Sequence, residues 1–193
     1  MGFELICGPM YAGKTEELIR RVRRLKSGGK SVLIFKPKID DRFAFMDVVS
    51  HDGNRIEAIV ASSAAEIMDH LRKNKKIKNI AIDEIQFFDD YIVNLVQVLL
   101  DKGYNVIATG LDKDFRGEAF GPISALLTLA EKLTKLSAIC SKCGEDAYYT
   151  QRIINGKAAP YSDEQIVVGD RDKYEARCRK HHDVPDRPDR NIF

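Results

Sequence analysis

The chain of 193 residues lacks any apolar run near the ~18 residues that would span a bilayer. Its most apolar long stretch, Tyr91 to Leu100, is interrupted by Asn94 and Gln97. The opening residues lack a basic segment and carry Glu4, so they do not read as a secretory signal. Ile6 stands where N-myristoylation needs Ser or Thr. The expected location is cytoplasmic, with no membrane partner. Charge of one sign is also missing. The net charge is +2, and residues 138–193 hold ten Lys and Arg against ten Asp and Glu. Nucleic-acid binders usually carry a basic domain or face, so nucleic acid is not an expected partner. Cysteine is scarce, at four, and three of the four lie in the last third. A cytosolic C-x-x-C pair points to metal rather than to disulfides. Cys7, in an apolar strand, reads as a buried small hydrophobe. There is no internal repeat and no Asn-Lys-x-Asp guanine signature.

What is present is ordinary globular composition, 44% hydrophobic and 31% charged. Short apolar runs at 3–7, 31–35, 56–60, 80–82 and 106–109 read as strands, and 136–139 as a last one. Helical spacing marks 14–27, stopped by Gly28-Gly29. Ser63 with Glu66 forms a capping box for a helix to Lys73. Further helices are expected from Asp89-Asp90 to Lys102, and from Pro122 to about Lys132. Alternating strands and helices predict an α/β fold around a parallel sheet, of the P-loop NTPase type. Composition changes at Cys140. The expected division is an ATP-binding α/β domain over 1–137, a small zinc-ribbon domain over 138–183, and a disordered tail over 184–193. Asn155-Gly156 predicts a hairpin turn inside the ribbon.

Gly8, Pro9, Met10, Tyr11, Ala12, Gly13, Lys14 and Thr15 fit G-x-x-x-x-G-K-[ST] in full. The glycines let successive N–H groups face a phosphate, Lys14 meets the β- and γ-phosphates, and the Thr15 hydroxyl ligates Mg²⁺. The following helix aims its positive end at the same anion. The basic cluster Arg20, Arg21, Arg23, Arg24 and Lys26 reads as a solvated face. A second strand ends in Asp83-Glu84, where Asp83 suits the Mg²⁺ that accompanies ATP and Glu84 suits a general base. If the nucleophile is water the result is an ATPase; if it is a substrate hydroxyl, a kinase. The acid pair leaves both open. Cys140-x-x-Cys143 and Cys178-x-x-His181 offer four ligands, a closed set that suits structural Zn²⁺. His182 adjoins His181 and competes for the fourth place.

Taken together, the phosphate loop, Asp83 to Phe88, Gly110 to Pro122, the cysteine pair, Ala147 to Arg152, and Val168-Gly169 with Tyr174 resemble the zinc-containing, type II thymidine kinase family. The resemblance runs from residue 3 to about 182. It implies transfer of the γ-phosphate of ATP to the 5′-hydroxyl of thymidine, and of deoxyuridine, in nucleoside salvage. It implies a lasso loop over the nucleoside, dTTP as feedback inhibitor and a homotetramer. By motif position it implies Glu84 as base, Asp83 and Thr15 at Mg²⁺, and Asp40, Arg42 and Gln86 near the phosphates. Met10, Phe87, Leu111, Phe115, Phe120, Thr150 and Tyr174 match positions around thymidine. Gln165, Ile166, Val167, Val168 and Gly169 match the lasso strand whose backbone reads the base. Ala12, Asp170 and His181 depart from the commoner Ser, Gly and Cys. Against this stand two rivals: an ATP-hydrolysing motor that binds nucleic acid through its ribbon, and a kinase for another nucleoside.

Overall fold

The computed structural model describes residues 2–38, 47–49, 55–166 and 174–189. Asp40, Arg42, Val167, Val168 and Gly169 therefore lie outside the described residues.

The first half runs β1 (Gly2–Cys7), α1 (Lys14–Ser27), β2 (Val32–Pro37), β3 (Asp47–Val49), β4 (Arg55–Glu57), β5 (Ile59–Ala61) and α2 (Ala64–Lys73). It continues with β6 (Asn79–Ile82), a 3-10 turn at Ile85–Phe87, α3 (Tyr91–Asp101), β7 (Asn105–Gly110), α4 (Ile123–Leu129) and β8 (Lys132–Lys135). Six strands form one sheet in the order β5-β2-β6-β7-β1-β8, every neighbouring pair parallel. This is the α/β architecture that alternating strands and helices predict.

Strand alternation divides the core between the two faces. Ile6, Ile34, Ala81 and Ile107 point to one face, where Leu18, Ile19 and Val22 of α1 cover them. Phe3, Leu5, Phe35, Ile80, Ile82, Val106 and Ala108 point to the other, under α2, α3 and α4. Phe88 joins that second core. The predicted cap at α2 is present: Ser63 Oγ accepts from Glu66 N at 3.3 Å, and Glu66 Oε2 accepts from Ser62 N at 2.8 Å.

Three expected elements differ. The run at 56–60 is two short strands, β4 paired antiparallel with β3 and β5 parallel with β2. The helix after Pro122 ends at Leu129, because Ala130 is already extended. Lys132–Lys135, of which only Lys132 is expected in that helix and the rest in no element, is an edge strand against β1. Its mostly exposed residues leave it no apolar signature.

The second part holds β9 (Ala138–Ile139), β10 (Asp146–Ala147), β11 (Tyr149–Ile154), β12 (Lys157–Ala158) and β13 (Tyr174–Arg177). β9 pairs with β10, and β11 lies between β12 and β13, all antiparallel. The β11–β12 turn is Asn155-Gly156 with φ of 50° and 77°, as the hairpin signature requires. Residues 184–189, expected as the start of a disordered tail, are described. There Pro185 O accepts from Tyr161 N at 2.8 Å, and Arg187 donates to Arg116 O.

Candidate active site and metal cluster

β1, β7 and β6 are neighbours, and each ends at the same edge of the sheet. That edge is where open parallel sheets bind their ligands. The loop after β1 carries residues 8–15, and the residues after β6 are Asp83 and Glu84. Gly8 has φ 151°, and a Cβ there would sit 2.4 Å from Leu136 O. Only glycine fits, so the loop's start is fixed by backbone approach. Lys14 is buried and its Nζ donates to Pro9 O at 2.8 Å, across the loop it closes.

Thr15 Oγ1 lies 3.5 and 3.4 Å from the two carboxylate oxygens of Asp83. Thr109 on β7 donates its hydroxyl to the same carboxylate. Burial, then the charge of Glu84, pushes the Asp83 carboxyl up to about 6, while Thr109 and Lys14 pull it down. A buried negative charge beside a hydroxyl, at the positive end of a helix, is a fitting pair of ligands for a divalent cation. The donor set thus suits Mg²⁺.

Glu84 sits at φ 49°, ψ 46°, a left-handed conformation that costs a non-glycine residue about 1–3 kcal/mol. The turn aims its half-buried carboxylate out of the strand end. Gln86 holds it there, donating from Nε2 to Glu84 Oε2 at 2.6 Å. The other end of the Gln86 amide accepts from Leu111 N at 3.1 Å. Gln86, expected near the phosphates, therefore has its amide committed to Glu84 and to the end of β7. Gly121, φ 50°, lets the chain pass the Gln86 carbonyl, which a Cβ would approach to 2.6 Å.

Residues expected around a nucleoside come together in pairs. Met10 N donates to Thr150 Oγ1 at 3.0 Å, and Tyr11 OH to Tyr174 O at 3.2 Å. Both bonds tie the phosphate loop to the ribbon. Phe87 and Phe120 meet edge to face at 5.3 Å. Phe115 has no aromatic ring partner among the described residues. Its ring instead lies against the guanidinium groups of Arg116 and Arg152, at 5.1 and 5.4 Å. Gln165 Nε2 donates to Asp114 Oδ2 at 2.9 Å, so the start of the expected lasso is held beside Phe115. Ile166 is about half exposed, at 48%.

Several further residues hold this arrangement, and the motifs they fall in do not state their partners. Buried Asp114 accepts from the backbone N–H of Arg116 and Glu118, shaping the loop that presents Phe115. Arg116 donates to the carbonyls of Tyr161 and Asp163, and Arg152 pairs with Asp163. These are pairings across 11 to 47 residues of sequence, and only the folded chain reveals them.

The Sγ atoms of Cys140, Cys143 and Cys178 and a ring nitrogen of His181 lie within 4.8 Å of one another. Cys143 Sγ is 3.7 Å from Cys178 Sγ, and His181 Nδ1 is 3.8 and 3.3 Å from Cys140 and Cys178 Sγ. A tetrahedral Zn²⁺ with ordinary bond lengths needs edges of about 3.8 Å between sulfurs and about 3.6 Å between sulfur and nitrogen. The four residues fit that ion. Burial pushes the Cys140 thiol up, but backbone groups of Cys178, Lys142 and Cys143 more than offset it, to about 5. His182 is engaged elsewhere. Its Nε2 donates to Phe115 O at 2.8 Å, and its ring stacks on Tyr149 at 4.6 Å. Burial lowers its pKa. Among the described residues the cluster thus includes His181 and not His182.

A family model described as thymidine kinase matches residues 1–182. Among solved structures, the crystal structure of domain III of the Thermotoga maritima replication initiation protein DnaA is similar at 12% identity and a TM-score of 0.41. It covers 70% of this chain, and this chain spans 55% of that structure's length; a likeness this weak carries no argument. The family match spans nearly the whole chain, and the chain belongs to the thymidine kinase family.

Proposed function

We propose, with membership of the thymidine kinase family as the premise, that the chain transfers the γ-phosphate of ATP to the 5′-hydroxyl of thymidine or deoxyuridine, giving dTMP or dUMP. The carrying observation is the convergence of Lys14, Thr15, Asp83 and Glu84 at one strand edge, beneath a loop bonded to Thr150 of the ribbon.

In this reading the backbone of residues 8–13 and Lys14 cradle the phosphates of ATP. Thr15 and Asp83 hold Mg²⁺, which neutralises charge on the β- and γ-phosphates when bound. Glu84, aimed by its left-handed backbone and by Gln86, accepts the proton of the attacking hydroxyl. Phe87, Leu111, Phe115, Phe120 and Tyr174 enclose the base, and the backbone of Gln165 to Gly169 reads its edge. Asp40 and Arg42 serve the phosphate end. Zn²⁺ on Cys140, Cys143, Cys178 and His181 is structural, since four protein ligands leave no open position. Salvage in the cytoplasm, inhibition by dTTP and a homotetramer belong to the same proposal.

The experiment is ATP turnover with a panel of nucleosides. Thymidine and deoxyuridine should be phosphorylated, and purine nucleosides rejected by the enclosed pocket. Phosphate release without nucleoside would identify an ATPase, and equal turnover of deoxyguanosine would identify a different kinase.

A further inference from the structure

We propose that a cavity at the opposite end of the sheet from the phosphate loop binds a small polyphosphate. The cavity has a volume of about 410 Å³. That lies in the range of small-molecule sites, about 300–1,000 Å³. It opens between the last turns of α1 and the starts of β7 and β8. Lys14 begins α1 and Arg24 lies ten residues on, so the cavity stands about 15 Å along the helix from the phosphate loop.

Five cations line it: Arg20, Arg21, Arg24, Lys30 and Lys132. Glu4 is the one acid in the lining. Part of this set is already arranged. Arg21 is held by Glu4 at 2.7 Å, Glu17 at 2.8 Å and Thr134 at 2.8 Å, and Lys132 by Glu4 at 3.2 Å. Arg20 is tied to Glu17. Arg24 and Lys30 have no acidic partner among the described residues. Two acids thus face five cations, and a multiply charged anion would complete the balance. Such anions make short, charge-assisted bonds to guanidinium and ammonium groups.

The end of a helix ordinarily repels anions. Here the chain covers its own carbonyls: Gly28, Lys30 and Gly29 donate to the carbonyls of Arg24, Leu25 and Lys26. Leu25 and Ile107 give the cavity an apolar part that a nucleoside could also cover. The cations surround a recess rather than track a stripe, and the chain as a whole is near neutral, which favours a small ligand over nucleic acid. The cluster that the sequence presents as a solvated face is thus given a ligand class, a triphosphate chain, free or carried on a nucleoside.

The test is calorimetry of the full chain with ATP and with inorganic tripolyphosphate. Three proteins are compared: the natural chain, Lys14→Ala, and the double variant Arg24→Ala with Lys30→Ala. The proposal expects a second binding event that survives Lys14→Ala and weakens about tenfold or more in the double variant, with retention in Arg24→Lys with Lys30→Arg. ATP binding there more tightly than tripolyphosphate would identify a nucleotide; equal binding, the polyphosphate alone. A single event, lost with Lys14→Ala, would overturn the proposal. So would a short DNA duplex that binds more tightly than either, with the same sensitivity to the double variant.

Discussion

The two parts of this molecule hold their shape by different means. The α/β domain buries Leu, Ile and Val on both faces of its sheet, and Phe on one. The ribbon's buried cluster consists of alanines and cysteines: Ala138, Cys140, Ala147, Ala176 and Cys178. Burial at roughly 25 cal/mol per Å² of apolar area supplies the first with a core and the second with little. The ribbon substitutes a four-ligand cluster and a lattice of charged hydrogen bonds through Asp114, Arg116 and Arg152. In the proposed function the phosphate-binding residues rest on the first kind of structure, and the base-facing residues largely on the second. The two meet at Met10–Thr150 and Tyr11–Tyr174.

The comparison is sharpest where both regions bind and chemistry alone is removed. Glu84→Gln should lower dTMP formation by ~10²–10⁴-fold while ATP and thymidine still bind, since only the proton acceptor is lost. Near-normal turnover would remove Glu84 from its role. The next effect falls on the ribbon alone. Purified protein should hold about one Zn²⁺ per chain, and His181→Ala should release it, because a closed site binds metal and folds together. His182→Ala should keep the metal and instead loosen the Phe115 loop, seen as a raised KM for thymidine. Metal loss from His182→Ala would reassign the fourth ligand.

A smaller effect falls on the α/β domain alone. Ile67 of α2 is fully buried, and Ile67→Ala should cost ~2–5 kcal/mol in denaturant unfolding without changing zinc content. A concurrent loss of zinc would show that the two parts are not held separately. The smallest effect is a pH dependence. Arg20 first, then Arg21, holds Glu17 down to about 2 from its ordinary 4.5, against burial. Glu17 thus stabilises the fold fully above about pH 4.5. As pH falls from there towards 2, the unfolded chain takes up the proton first and that stability is lost. Glu17→Gln should flatten this part of the acid unfolding curve, and an unchanged curve would deny the pair its role.

Much of the α/β domain is legible because its signals are local. The bounds of α1 follow from helical spacing between Gly13 and Gly28, and the α2 start from Ser63 with Glu66. The phosphate loop is a contiguous motif whose spacing states its chemistry. β8 is not legible, because an edge strand with exposed Lys132, Leu133 and Lys135 buries nothing that would pattern it. In the ribbon, ligand spacing reveals the cysteines and favours His181 over its neighbour, and the fold adds the bond that engages His182 with Phe115 O. The clasp of Asp114, Arg116, Arg152 and Asp163 is not legible: the first three fall in motifs of the resemblance, but nothing in the sequence says which partners they take.

In the proposed function one centre is made from a core-stabilised half and a metal-stabilised half. The most direct test is calorimetric titration of thymidine into protein with zinc and into protein stripped of it, with ATP and Mg²⁺ as the control ligand. Stripped protein should keep its ATP binding and lose its thymidine binding. Unchanged thymidine affinity without metal would contradict the account.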